Sequence, residues 1–147
     1  MTKLFSIPAI IAAISGIAMA LQGTLNSQLT QKTSLLSSTF VVHFIGTFIA
    51  LLALLVWRVP FLQHKWIQIP WYLYLGGVLS VIIVALVALS ISKIGVCNAT
   101  TCIIVGQVGA AVLIDHFGLF GVQKIPWNPW QFLGLALFAT GAKLLFR

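Results

Sequence analysis

Five long apolar stretches follow one another along the chain, and each is long enough to cross a lipid bilayer as a helix. The hydrocarbon core of a bilayer is about 30 Å thick, which about 20 helical residues span. The stretches run over Phe5–Asn26, Ser37–Trp57, Trp71–Ser92, Val96–Ile114 and Trp130–Phe146. This pattern predicts five transmembrane helices in a single domain, residues 1–147.

The composition excludes a soluble domain of this length. Hydrophobic residues make up 61% of the chain and charged residues only 6%, whereas a soluble domain carries roughly a quarter charged residues. The surface must therefore face lipid, and the fold class is all-α integral membrane. All five tryptophans lie near predicted helix ends, where amphipathic rings are favoured: Trp57, Trp66, Trp71, Trp127 and Trp130.

The net charge of +7 is spread along the chain rather than gathered into a patch. Each basic residue stands singly near the end of an apolar stretch, where its side chain can reach lipid headgroups. We therefore expect the lipid bilayer, and no nucleic acid, as the partner of these charges. They are Lys3, Lys32, Arg58, Lys65, Lys93, Lys124, Lys143 and Arg147.

The basic residues are balanced between the two sides of a five-span chain. Lys3, Arg58, Lys65 and Lys124 would lie on one side, and the other four on the opposite side. Orientation normally follows an excess of Lys and Arg on the cytoplasmic side. Without an excess, copies can insert both ways up and pair as an antiparallel homodimer, an inverted-repeat ten-helix transporter fold of which each chain is half. The alternative is a bias that depends on folding order or on partner contacts.

The first stretch has a second interpretation, because Lys3, an apolar run and an A-x-A sequence at residues 18–20 are typical of a signal peptide. The run is long, however, and it continues into Gln22 and Asn26 without a break. We therefore predict a transmembrane helix here.

Polar side chains inside the stretches are the candidates for a binding site. On helix 1, Ser15, Met19, Gln22 and Asn26 fall within about 60° of one another. An amide buried in hydrocarbon without partners costs several kcal/mol, so Gln22 and Asn26 should face protein or a water-filled cavity. They would either hydrogen-bond between helices or line a solute pathway.

Helices 2 and 4 add two further candidates. A histidine within a span, here His43, is a functional candidate unless a neighbour satisfies it, and Gln107 lies nearest mid-depth among the amides of helix 4. On helix 3, Ser80 is interpreted as a packing residue. The predicted substrate-binding residues for an unknown small solute are Gln22, Asn26, His43 and Gln107.

Glycines inside the spans would let neighbouring helices approach closely. The predicted packing positions are Gly16, Gly23, Gly46, Gly106, Gly109, Gly134 and Gly141.

Asp115 is the only acidic residue in the chain, and it precedes His116 and a turn containing Gly118 and Gly121. It either pairs structurally with a nearby base or loop, or couples ion or proton movement together with His116. No metal site is expected, because Cys97 and Cys102 would lie about 140° apart around a helix. No nucleophile–base pair stands out, so we expect neither a catalytic residue nor a cofactor.

Two segments of the chain resemble the signatures of the YdcZ-like family. They are LQGTLNSQL at residues 21–29 and GQVGAAVLIDHFGLFG at residues 106–121. This family comprises small bacterial inner-membrane proteins of the drug/metabolite transporter superfamily. The resemblance implies five-helix halves of a ten-helix fold, found as dual-topology homodimers, as oppositely oriented pairs or as fusions. The family's motif positions correspond to four residues of this chain, Gln22, Asn26, Gln107 and Asp115.

The sequence therefore predicts a small-solute transporter that works as an antiparallel homodimer by alternating access. Two alternatives remain at this point. A small dual-topology protein with amide-lined and hydroxyl-lined spans is also compatible with an ion channel, or the chain could be a non-transporting subunit of a membrane assembly.

Overall fold

The computed structural model describes residues 6–60 and 66–146, and all five predicted helices are present. They are α1 (Ile7–Lys32), α2 (Leu35–Val56), α3 (Leu75–Ile94), α4 (Val96–Phe117) and α5 (Pro129–Leu145). The predicted start at Phe5 and the charges of Lys3, Lys65 and Arg147 lie outside the described residues.

Four of the described helices are long and apolar enough to cross a membrane: α1, α2, α3 with the turn before it, and α4. Helix α5 has 17 residues, which corresponds to about 25 Å of helix, so its passage through the bilayer remains a prediction. The chain divides into two compact units between Lys93 and Ile94. The first unit holds α1 to α3, and the second holds α4 and α5.

Helix α1 is longer than predicted, because it continues from Asn26 to Lys32. The extra turns pack against the start of α2: Ser27 and Ser38 are 1% and 2% exposed, and the Thr30 and Ser38 hydroxyls lie 2.7 Å apart. Polar side chains that would break a lipid-facing helix are thus accommodated inside a helical hairpin. The predicted long loop is reduced to two residues, 33 and 34.

Helix α3 approaches α1 closely at one glycine. A Cβ added at Gly23 would lie 2.8 Å from Ile91 Cδ1 and 3.0 Å from Val87 Cγ1. The other six glycines predicted to pack have nothing within 4 Å of such a Cβ among the described residues. Their packing role remains a prediction, whereas Gly23 is the point at which α1 and α3 meet.

In the second unit, α4 extends to Phe117 instead of ending at Ile114 as predicted. It begins after Gly95 (φ +83°) and ends at Gly118 (φ +63°), whose amide donates to the Ile114 carbonyl. Asp115 and His116 therefore belong to the last helical turn.

Helix α5 begins with a capping box, in which the Asn128 side chain accepts from the Trp130 amide and the Gln131 side chain accepts from the Asn128 amide.

Candidate functional site

The first unit contains a cleft of about 360 Å³ that brings together polar side chains from three helices. We call it the polar cleft. Gln22 of α1, His43 and Thr47 of α2 and Ser80 of α3 supply its hydrogen-bonding groups. Small and apolar residues form the remaining wall: Val42, Gly46, Ala50 and Val84. Two predicted site residues, Gln22 and His43, therefore lie in the same cleft.

His43 is held by hydrogen bonds on both ring nitrogens. Nδ1 lies 2.8 Å from the carbonyl oxygen of Thr39, one turn earlier on the same helix. Because a carbonyl only accepts, Nδ1 must carry the hydrogen. Nε2 lies 3.2 Å from the Ser80 hydroxyl. In the neutral imidazole Nε2 is then an acceptor, so the Ser80 hydroxyl donates to it.

Ser80 and Thr47 line the cleft although neither was predicted as a binding residue, and Ser80 was interpreted as packing. It lies 37 residues from His43 in the chain, and the pairing depends on the register between α2 and α3. The available signal was a hydroxyl within an otherwise apolar span. Such a group requires a partner when it is away from water.

Gln22 also borders a second, smaller cleft of about 40 Å³, which Asn26 helps to line. Asn26 is one helical turn further along α1 and is 8% exposed. Gly23 lies between them in sequence and contributes to the same cleft. The structure thus places Gln22 and Asn26 along one continuous edge of α1, as the helical periodicity predicts.

Gln107 belongs to the second unit, where it is exposed on α4. This unit has a groove of about 440 Å³, but Gln107 does not line it. The groove is apolar apart from Thr101, and Gly134 and Gly141 of α5 are among the residues that line it. Gly134 and Gly141, the predicted packing pair on α5, thus border this groove, and their packing role stays a prediction.

Asp115 anchors the end of α4 through its backbone. Its carbonyl oxygen accepts from the Ile125 amide at 2.8 Å, and the turn is tight because a Cβ added at Gly118 would lie 3.3 Å from both Lys124 Cβ and the Val122 carbonyl oxygen. Among the described residues, the Asp115 carboxylate makes no hydrogen bond and no ion pair.

His116 is packed into a cluster of aromatic side chains. Its ring centroid lies 4.2 Å from that of Trp127 and 4.9 Å from that of Phe117. Trp127 in turn meets Phe132 edge to face at 5.2 Å. The Nδ1 atom of His116 is buried and has no hydrogen-bond partner among the described residues. His116 therefore fixes the segment before α5 against the end of α4.

We expect Asp115→Asn to raise the free energy of unfolding by about 0.3–1 kcal/mol, because a carboxylate in the last turn opposes the helix dipole. Denaturant unfolding of purified protein in detergent would measure the change. Asp115→Glu, which keeps the charge, should give no such gain. A loss of stability in Asp115→Asn would instead show that the carboxylate has a stabilising partner.

Comparison with protein families gives one match over almost the whole chain. Residues 7–144 match the family model described as "Putative inner membrane exporter, YdcZ". Neither the curated proteins nor the solved structures contain a significant match.

Proposed function

The chain belongs to the YdcZ family of inner membrane exporters, and on this premise we propose that it exports a small solute as an antiparallel homodimer by alternating access. It is a multi-pass inner membrane protein, and the family indicates a transporter rather than an enzyme.

The polar cleft is the observation that carries the proposal. Its volume of about 360 Å³ falls at the small end of the 300–1,000 Å³ typical of ligand pockets. The described lining offers amide, imidazole and hydroxyl groups against an aliphatic wall, and it includes no Asp, Glu, Lys or Arg. This chemistry supports a small solute that has both an apolar part and hydrogen-bonding groups, and that carries no strong charge.

The antiparallel pairing is supported by two features. The basic residues are divided equally between the two sides, so the chain has no evident preferred orientation. Gln107 is exposed on α4, a helix that is long and apolar enough to span the membrane. An amide facing hydrocarbon is costly, and a second copy that covers this face of α4 would remove the cost. Gln107 of each protomer would then line the pathway together with Gln22 and Asn26.

Solute counterflow into proteoliposomes tests the proposal. The probes would be labelled amines, sugars, amides and anions, each present at high concentration on one side. We expect saturable exchange of at least one of them, and we expect Gln22→Leu to lower it about two- to tenfold, since one hydrogen bond contributes about 0.5–1.5 kcal/mol. Gln28→Leu is the matched control, because Gln28 is on the same helix but does not line the cleft.

Two results would contradict the exporter proposal and indicate another function. Passive currents that do not saturate and that exceed exchange by orders of magnitude indicate a channel. An absence of flux together with a stoichiometric partner protein in pull-down experiments indicates an assembly subunit.

A further inference from the structure

We propose that His43 and Ser80 form a proton-binding site in the polar cleft, at which a proton competes with a solute that donates hydrogen bonds. This inference rests on the proposed function, because it names the coupling ion and the class of solute. It concerns α2 and α3 of the first unit and does not involve Asp115.

The fixed end of the imidazole is the Nδ1–H group. It donates to the Thr39 carbonyl at 2.8 Å. The hydrogen bond cannot reverse its direction, because a carbonyl oxygen only accepts. The neutral ring therefore keeps a lone pair on Nε2. That lone pair faces the Ser80 hydroxyl at 3.2 Å, so a proton arriving from the cleft can bind only at Nε2.

Protonation reverses the hydrogen bond between His43 and Ser80 without requiring either residue to move. In the neutral state the Ser80 hydroxyl donates to Nε2, and its oxygen lone pairs are available to the cleft. Once water has delivered a proton to Nε2, that nitrogen must donate, because both nitrogens of a histidinium are donors. Ser80 Oγ then accepts from Nε2, and the hydroxyl hydrogen is free to turn toward the cleft.

Among the described residues that line the cleft, His43 is the only one with a basic ring nitrogen. Gln22 faces it from α1, Ser80 and Val84 from α3, and Thr47 lies on its own helix. None of these side chains changes charge near neutral pH, and no other titratable side chain lines the cleft among the described residues. The lysines of the first unit's helices do not line the cleft. Lys32 and Lys93 lie in the last turns of α1 and α3, and His43 lies about 12 Å along α2 from its start.

The hydrogen-bonding role of the Ser80 hydroxyl in each protonation state determines which class of solute competes with the proton. In the neutral state, Ser80 Oγ accepts hydrogen bonds from a solute. In the protonated state one of these lone pairs accepts from Nε2 and the hydroxyl hydrogen faces the cleft beside a positive charge, so an N–H group of the solute is bound more weakly. Because coupling between two ligands is reciprocal, a solute that donates to Ser80 weakens proton binding equally. An exporter with this property exchanges outgoing solute for an incoming proton.

Nitrogen-15 NMR of histidine-labelled full-length protein in detergent tests the proton site directly. The spectrum of His43→Gln assigns the His43 resonances by difference. We expect the neutral ring to carry its hydrogen on Nδ1, and we expect Ser80→Ala to change the Nε2 shift and the titration midpoint. Ser92→Ala is the matched control, because Ser92 donates to the Leu89 carbonyl within α3. A hydrogen on Nε2 in the neutral form, or equal effects of the two variants, would overturn the site.

Binding of two amides tests the competition. Benzamide has an apolar ring and two amide hydrogens, and N,N-dimethylbenzamide lacks those hydrogens. We expect benzamide to bind about two- to tenfold more weakly at a pH where NMR shows His43 protonated than at a pH where it is neutral, the loss of roughly one hydrogen bond. The dimethyl compound, whose carbonyl can accept from the Ser80 hydroxyl in the protonated state, should bind no more weakly at low pH, and His43→Gln should remove the pH dependence for benzamide. Equal benzamide binding at both pH values, or no binding, rules out the competition.

The outcomes separate this inference from the proposed function. Saturable flux with the same pH profile in wild type and His43→Gln overturns proton coupling at His43 and leaves the exporter in place. An absence of flux, with the expected tautomer and titration of His43, overturns the exporter and leaves the proton site.

Discussion

Two lysines added to one side of the chain are expected to fix its orientation and to abolish the antiparallel dimer. Ile67→Lys and Gln68→Lys would change the balance of basic residues from four against four to six against four. Orientation follows such an excess when the charges lie close to the span ends. Ile67 is 102% exposed and Gln68 is exposed as well, so neither substitution removes packing.

The measurement is the accessibility of tags at both termini in intact cells, together with crosslinking between copies. Wild type should present each terminus on both sides, and the variant should present it on one side. The opposite bias is obtained from Gln28→Lys and Gln31→Lys, two exposed residues near the end of α1. Helix α1 has 26 residues and is thus about 39 Å long, so these positions lie near the membrane surface.

Co-expression of the two oppositely biased variants should restore the crosslinked pair, because one copy of each supplies the two orientations. Ile67→Gln, which adds no charge, should behave as wild type. A wild-type chain with one fixed orientation, or a biased variant that forms the same crosslinks by itself, would contradict the antiparallel dimer.

The helices were predictable because their cause is local. A stretch of about 20 apolar residues has to cross the bilayer as a helix, since no other backbone conformation satisfies its own hydrogen bonds there. The end of α1 was not predictable in this way. Ser27 is buried and the Thr30 hydroxyl lies 2.7 Å from that of Ser38 on the next helix, and the sequence of α1 alone does not contain that contact.

The residues of the site also differ in whether one helix or the packing between helices reveals them. His43, Gln22 and Asn26 were recognisable as polar groups in apolar spans, and a single helix sets their spacing. Ser80 became significant only when the register of α3 against α2 placed its hydroxyl 3.2 Å from His43. The sequence did not distinguish among the seven glycines predicted to pack, and only at Gly23 would an added Cβ lie within 4 Å of another described helix.

Gly23→Leu is expected to lower the free energy of unfolding by about 1–3 kcal/mol, the usual cost of overfilling a packed contact, and to reduce export severely. Even the first carbon of a new side chain would lie 2.8 Å from Ile91 Cδ1 and 3.0 Å from Val87 Cγ1. The Ile91 side chain must shift to admit that carbon, and we expect the rest of the leucine side chain to push α1 and α3 apart. Gln22 and Ser80 are on these two helices, and their separation would enlarge the polar cleft. Unfolding in mixed detergent micelles and solute counterflow measure the two effects.

Gly16→Leu is the matched control, because Gly16 is two turns earlier on nearly the same face of α1 and an added Cβ meets nothing within 4 Å. We expect it to leave stability unchanged or slightly higher, since leucine favours a helix more than glycine does. The smaller change Gly23→Ala should be rescued by Ile91→Val, which removes the Cδ1 atom that the new methyl group meets; the two effects should be non-additive because the residues are in contact. If Gly16→Leu destabilises the protein as much as Gly23→Leu, or if Ile91→Val gives no rescue, then the approach of α3 at Gly23 does not limit the packing of α1.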